Sequence, residues 1–164
     1  MKKIPILNRE KKVIAYTIID DCDYEGIKKF TWRLHILGYV YTILKKGKRA
    51  TFLHRYLLNT PKGMECDHIN MNRLDNRRSN LRNATLSENK CNRGMQKNNK
   101  SGFKGVIWET RRKKWRAWIA FRNVPYFLGY FESAKEAAKT YDKKAIELHG
   151  KFAYLNFSNG RKNP

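Results

Sequence analysis

Asp67 and His68 stand side by side in the run CDHINMNRLDNRRSNLRNATLSEN, residues 66–89. Together they hold much of what hydrolysis of a phosphodiester needs. Water must give up a proton, the phosphate's charge must be neutralised, and the leaving 3′ oxygen must be stabilised. A histidine serves the first need and a divalent cation the other two. The carboxylate of Asp67 is a hard oxygen donor for Mg2+ or a similar ion. A histidine with an ordinary pKa near ~6.5 is mostly neutral at pH 7–8, as a base must be. Adjacent side chains on a strand point to opposite faces, so a bend or bulge at the strand end is needed to bring both to one phosphate. Asn89 lies at the start of an expected helix whose N-cap region is Thr85 or Ser87, and its amide oxygen is available as a second ligand. Asn80 can hold the loop that carries His68 through amide hydrogen bonds. Arg73, Arg77, Arg78 and Arg82 are natural phosphate clamps.

Taken singly these are weak signals, because an Asp-His pair and Asn-rich loops are most often surface turns. Their order is far more specific. The three cysteines, Cys22, Cys66 and Cys91, are too widely spaced for a disulfide framework and suit a reducing compartment. Cys66, His68 and Cys91 form a conceivable zinc set, but no CxxC pair backs it.

Other elements must position this run. IPILN and KVIAYTII read as strands around the turn REKK, and DDCDYEGIKKF as a short helix with acids first and lysines last. WRLHILGYVYTILKKGKRATFLHRYLL reads as a hairpin turning at KKGK, then a short helix near residues 54–58. His54 has no evident partner and reads as structural or as a phosphate contact. Residues 92–102, NRGMQKNNKSG, lack periodicity and read as a linker. Beyond it lie three β-rich runs separated by RRKK and RNVP. In the middle run Trp115, Ala117, Ile119 and Phe121 share one face, with Arg116, Trp118, Ala120 and Arg122 on the other. A helix follows, opened by a capping box of Ser133 with Glu136 and stopped at Gly150. Its lysines Lys135, Lys139 and Lys143 form a stripe that reads first as a solvated face and second as a phosphate contact.

Composition names the partner. The 164 residues carry 36 Lys and Arg against 14 Asp and Glu, a formal net charge of +22. That excess repels itself unless a polyanion is present, and nucleic acid is the first candidate. A membrane surface is second, without a basic apolar helix to support it. No apolar run nears the ~20 residues needed to span a bilayer. The N-terminal MKKIPILNREKK is too short for a signal-peptide core. The expectation is a cytoplasmic protein that stays in the compartment where it is made. With 41% hydrophobic and 13% aromatic residues, packed cores are within reach.

The pattern DH-I-N-x-N-x-L-D-N-R-R-S-N-L-R-x-A-T-x-x-x-N resembles the HNH nuclease motif of phage and intron-encoded homing endonucleases, in the variant whose final His is replaced by Asn. The resemblance covers residues 52–92. It implies a ββα-metal fold around one divalent ion, Mg2+ or else Mn2+. It implies that Asp67 and Asn89 bind the metal, that His68 activates water, and that Asn80 orients the loop bearing His68.

GVIWETRRKKWRAWIA, YFLGYFESAKEAAKTYDKKAIELHG and AYLNF, within residues 103–157, are similar to the plant APETALA2-type DNA-binding domain. That resemblance implies a sheet laid in the major groove. Lys104, Arg116, Trp118 and Arg122 would face outward, with Arg111, Arg112, Lys113 and Lys114 at the hairpin tip. Phe127 takes the place of a groove-contacting Trp. Ile107, Glu109 and Ala120 replace arginines that read bases in plants, so the plant target sequence does not carry over.

The resulting expectation is an α+β chain. Residues 1–51 would be an N-terminal α+β region contacting DNA, 52–92 the ββα-metal nuclease module, 93–102 a linker, and 103–158 a three-stranded antiparallel sheet with one helix. Its function would be metal-dependent cleavage of double-stranded DNA by a homing-type endonuclease, acting as a monomer with no obligate protein partner and no membrane. The alternative is a DNA-binding regulator whose HNH module is silent. RNA is disfavoured, because its major groove is too narrow for a sheet to read.

Overall fold

Buried positions alternate along the first strands, Ile4 and Ile6 on one and Thr17 and Ile19 on the other. β1 (Lys2–Leu7) and β2 (Val13–Ile19) pair antiparallel, with Ile4 opposite Thr17 and Ile6 opposite Ala15. Ile4, Ile6 and Ile19 go into the core. At the turn, Asn8 accepts from the Lys12 amide through its side chain at 2.9 Å, so REKK closes as expected. One turn of 3-10 helix (Asp21–Asp23) leads into α1 (Tyr24–Ile27). Trp32 is 1% exposed and donates its indole N–H to the Ile27 carbonyl at 3.0 Å, which locks α1 over the hairpin.

This computed structural model describes residues 1–44 and 49–157 and divides into two compact units, Met1–Leu86 and Ser87–Pro164. In the first, β3 (Arg33–Leu34), β4 (Val40–Thr42) and β5 (Thr51–Phe52) form a sheet in that order. The KKGK turn at 45–48 lies outside the described residues. A turn that sequence reading did not isolate falls at residues 35–38. Gly38 takes φ +80° there and donates its amide to the His35 carbonyl at 2.7 Å. α2 (Leu53–Leu58) follows and ends at Asn59 in the left-handed region, φ +48°. β6 (Glu65–His68) and β7 (Leu81–Ala84) then pair antiparallel, with Asp67 opposite Arg82 and His68 opposite Leu81. α3 (Leu86–Cys91) comes next. One core built on Ile6, Ile19, Trp32, Leu53, Cys66 and Leu81 joins the N-terminal hairpin to α2, β6 and β7.

In the second unit, β8 (Val106–Glu109), β9 (Lys114–Phe121) and β10 (Val124–Phe131) form an antiparallel sheet with β9 central. Arg122 and Asn123, both at positive φ, make the two-residue turn between β9 and β10. α4 (Ala134–His149) begins with the Ser133 hydroxyl accepting the Glu136 amide at 3.2 Å, as the capping box predicts. Its small residues Ala137, Ala138 and Ala145 are fully buried and let Val106, Ala117 and Ile119 come close. The Asp142 carboxylate anchors the chain after α4. It accepts from the Asn156 amide at 2.8 Å, the Asn156 side chain at 3.0 Å and the Phe157 amide at 2.8 Å. Residues 93–102, expected as a linker, fall within this unit. The Asn99 side chain bonds the amides of Ser101 and Gly102 at 3.0 Å each, and Lys104 Nζ donates to the carbonyls of Cys91 at 2.8 Å and Arg93 at 2.6 Å.

The chain is thus mixed α and β, with several small sheets and few helices among the described residues. No helix among them is long and apolar enough to cross a membrane.

Candidate active site

Strand β6 ends on Asp67 and His68, both buried. The Asp67 Oδ2 accepts two bonds from the Arg82 guanidinium, at 2.8 Å and 2.6 Å, straight across the hairpin. The ring of His68 packs beside His54 (centroids 5.0 Å apart) and Tyr39 (6.0 Å). Burial pushes His68 below the usual histidine pKa, against the opposing pull of its bond to Asn76 and of the Asp67 charge. Burial pushes His54 further, down to about 3, with the neighbouring His68 and Arg55 adding to it. His54 is therefore neutral at neutral pH, and its Nδ1 is buried without a hydrogen-bond partner.

Asn76, which sequence reading did not single out, is fully buried and meets His68: its Oδ1 lies 3.1 Å from His68 Nε2. The network fixes which way this amide points. Asn76 Nδ2 donates to the Arg73 carbonyl at 3.2 Å, an acceptor only, and to Thr17 Oγ1 at 2.8 Å. The single hydroxyl proton of Thr17 goes to the Leu74 carbonyl at 2.9 Å, so Thr17 must accept from Asn76. The oxygen of Asn76 therefore faces His68. Nε2 carries the proton, and Nδ1 carries the basic lone pair. In the sequence Asn76 was hidden among other asparagines, with only its place after Asp75 to mark it.

Residues 69–80 form the loop between β6 and β7, and Asn80 spans its neck. Asn80 Oδ1 accepts from the Asn70 amide at 3.0 Å, its Nδ2 donates to the Asp75 carbonyl at 2.7 Å, and its own carbonyl accepts from the Ile69 amide at 2.8 Å. The loop is docked on β2. Ile18 donates to the Leu74 carbonyl and accepts from the Asn76 amide, both at 2.8 Å, in a parallel bridge with Asp75. The N-terminal hairpin thus supports this loop directly.

All four arginines of the run have partners. Arg77 pairs with Asp75 at 2.6 Å and holds that carboxyl below its usual range. Arg78 pairs with Asp23 at 2.8 Å, and its amide donates to Asp20 at 2.8 Å. Arg82 holds Asp67. Arg73 lies over the Tyr39 ring at 4.6 Å and donates to the Leu37 carbonyl. Their remaining exposure differs: the Arg78 side chain is 51% exposed, that of Arg82 only 11%.

Asn89 is half-buried on α3, in the unit that begins at Ser87. A carboxylate and an amide oxygen are hard donors and suit Mg2+ or Mn2+. Zinc fits less well. Burial pushes the Cys66 thiol up to about 11, away from the thiolate that zinc binds. Among the described residues no group of three or more His, Cys, Asp and Glu is gathered as a metal cluster.

On the sheet of the second unit, Ala117 and Ile119 are buried, while Trp118 and Ala120 point outward. Trp118 stands opposite Phe127, and Arg116 between Ile107 and Tyr130. The Arg116 guanidinium lies 5.9 Å from the Phe127 ring centroid, and that of Arg112 4.9 Å from Tyr130. Arg111, Arg112 and Lys113 occupy the exposed turn before β9, and Lys114 pairs with Glu132 at 2.7 Å. Arg122 folds over Phe121, at 5.1 Å. Lys104 is turned to the Cys91 and Arg93 carbonyls.

Among known proteins, residues 59–91 match the family described as HNH endonuclease. An uncharacterized HNH endonuclease of Acanthamoeba polyphaga mimivirus is 27% identical over 154 residues, covering 92% of this chain and 79% of that protein. Protein 3.8 of Escherichia phage T7 is 36% identical over 93 residues, 57% of this chain and 76% of its own length. The dehydration-responsive element-binding protein 2A of Arabidopsis thaliana is 36% identical over 70 residues, 40% of this chain but only 20% of its own length. No solved structure matches.

Proposed function

This chain belongs to the same family as Protein 3.8 and carries an HNH endonuclease domain, and from that premise we propose that it is a metal-dependent, homing-type endonuclease acting on double-stranded DNA. The observation that carries this is the state of His68: neutral, with Nε2 held by Asn76, which sets the lone pair on Nδ1. Nδ1 takes the proton of the attacking water as its oxygen bonds to phosphorus and the P–O3′ bond breaks. Asn80, across the neck of the loop, keeps the approach to His68 in shape. Asp67 and Asn89 would hold a divalent ion, Mg2+ or Mn2+, which would supply the charge that neutralises the phosphate and the leaving oxygen.

Arg77 and Arg78, still partly exposed beside their carboxylates, can approach backbone phosphates. The C-terminal sheet aids site selection. Its outward Arg116, Trp118 and Phe127, with Arg111, Arg112, Lys113, Lys114 and Arg122 at the turns, offer cations and stacking surfaces together. The similarity to a plant element-binding protein supports an APETALA2-like role for this half. Relatives in a phage and a giant virus fit a cytoplasmic protein of infected cells.

A DNA-binding regulator with a silent nuclease module is the second reading. The observation favouring it is the ion pair of Asp67 with Arg82, which engages one oxygen of the proposed metal ligand. One experiment separates the two. Supercoiled plasmid and phage or host genomic DNA are incubated with the chain in Mg2+, in EDTA, and with His68→Ala. Metal-dependent cutting that the substitution abolishes supports the nuclease. Tight, salt-sensitive binding without cutting favours the regulator.

A further inference from the structure

Ile36 and Leu37 crown the turn between β3 and β4, and they are 95% and 58% exposed. Single exposed aliphatics are ordinary, but two in succession, with Leu34 beside them at 37%, make a local apolar tip. The turn beneath is firmly built. His35 and Tyr39 share a backbone bond of 2.8 Å, the Leu37 amide donates to His35 Nδ1 at 3.2 Å, and Arg73 donates to the Leu37 carbonyl. Arg73 also covers the Tyr39 ring, whose far neighbours are His54 and His68. A projecting tip is thus tied by one arginine and one tyrosine to the base of the proposed active site.

Charge indicates what such a tip meets. Exposed Arg33 flanks it, Arg73 lies beneath it, and the chain carries +22 overall. An apolar point with a cationic surround matches a stack of bases bordered by phosphates. Two residues of chain span ~7 Å, and the Tyr39 and His68 rings are 6.0 Å apart. At ~3.4 Å per base step, that sets the tip within about four steps of the bond that His68 would attack.

We propose that Ile36 and Leu37 form a wedge that enters the minor groove of duplex DNA and partly unstacks a base step, bending the backbone toward His68. This deepens the DNA-cleaving function proposed above and rests on it for the choice of partner. Apolar wedges of this kind kink DNA because the bend lets the duplex meet more protein surface, which offsets the unstacking.

The test needs no cutting. The full chain is bound to relaxed closed-circular plasmid in EDTA with a metal-independent type I topoisomerase, and the linking number is read after the protein is removed. The expected result is a linking-number change proportional to bound protein. It is lost in Ile36→Ser/Leu37→Ser at equal occupancy by gel shift, and kept in Ile36→Phe, which retains an apolar point. Bound wild-type chain that leaves the linking number unchanged, or an equal change in the serine variant, overturns the wedge. So does tip-dependent pelleting with phosphatidylserine vesicles when the plasmid is unaffected, which assigns the tip to a lipid surface. Plasmid cutting in Mg2+ without a linking-number change would remove the wedge and leave the nuclease. A linking-number change without cutting would do the reverse.

Discussion

Asn76 Oδ1 sits 3.1 Å from His68 Nε2, and the rest of the Asn76 amide is held by Thr17 and the Arg73 carbonyl. One buried asparagine thereby sets both the tilt of the imidazole and the nitrogen that bears its proton. In Asn76→Ala the ring loses that partner. Single-turnover cleavage should fall about a hundredfold, the scale expected of a displacement of about 1 Å at a reacting group. DNA affinity should stay unchanged. Asn76→Asp, which keeps an acceptor toward Nε2 but sets a second oxygen against the Arg73 carbonyl, should not restore the rate. Full cleavage by the alanine variant would remove Asn76 from the mechanism.

The ion pair of Asp67 with Arg82 is almost closed to water, with side chains 8% and 11% exposed. Taking away one member leaves the other charge buried without its partner. Arg82→Ala should therefore destabilise the fold by about 3–5 kcal/mol in urea denaturation. A midpoint equal to wild type would mean that water already reaches the pair.

His54 gives the fold a dependence on acid. Its folded pKa, about 3, lies below the ordinary histidine value. The unfolded chain therefore binds the proton first. Stability is complete above pH ~6.5 and declines as pH falls from there toward 3, by roughly tenfold in the folding equilibrium per pH unit. His68 shifts the same way and adds to the effect. Urea midpoints from pH 7 to 4 should show the decline, and His54→Phe should flatten it. An equal slope in that variant would place the acid sensitivity elsewhere.

Gly105 is tightly enclosed. It takes φ +75°, and a Cβ there would lie 2.1 Å from the Tyr141 ring and 2.6 Å from the Trp118 carbonyl. Gly105→Ala should loosen α4 from the sheet and lower the melting temperature. Because Trp118 lies on the outward face, DNA binding should weaken too. A variant with unchanged melting would show that the Tyr141 ring can move aside.

Binding through phosphates should weaken steeply with salt, with a slope of about −0.9 per phosphate neutralised in log affinity against log salt. Arg111→Ala should lower that slope by about one contact. Trp118→Ala should cut affinity with little change of slope, since stacking releases no counterions. A flat salt response in the wild type would sink the electrostatic account.

Local signals were the legible ones. The strands on either side of REKK, the alternation in β9 and the capping box at Ser133 each lie within a short window, and each forms as its pattern predicts. The turn at residues 35–38 escaped because its one marker, Gly38, sits in an otherwise continuous apolar and aromatic run. The arginines looked alike in sequence. Arg77 finds Asp75 two positions away, but the partner of Arg78 is Asp23, 55 positions apart, and no periodicity reports such pairing. Asn76 was illegible for the same reason, since Thr17 is 59 positions away.

That distance bears on how this chemistry could be moved between proteins. The loop of residues 69–80 takes its shape from Thr17, Ile18, Asp20 and Asp23. A cassette of residues 52–92 grafted onto a foreign scaffold would arrive with those backbone and side-chain groups unmatched, at about 1–3 kcal/mol for each one left buried. The smallest transplantable piece therefore begins at the first strand. The N-terminal hairpin and the turn after it are the mould in which the later loop is cast.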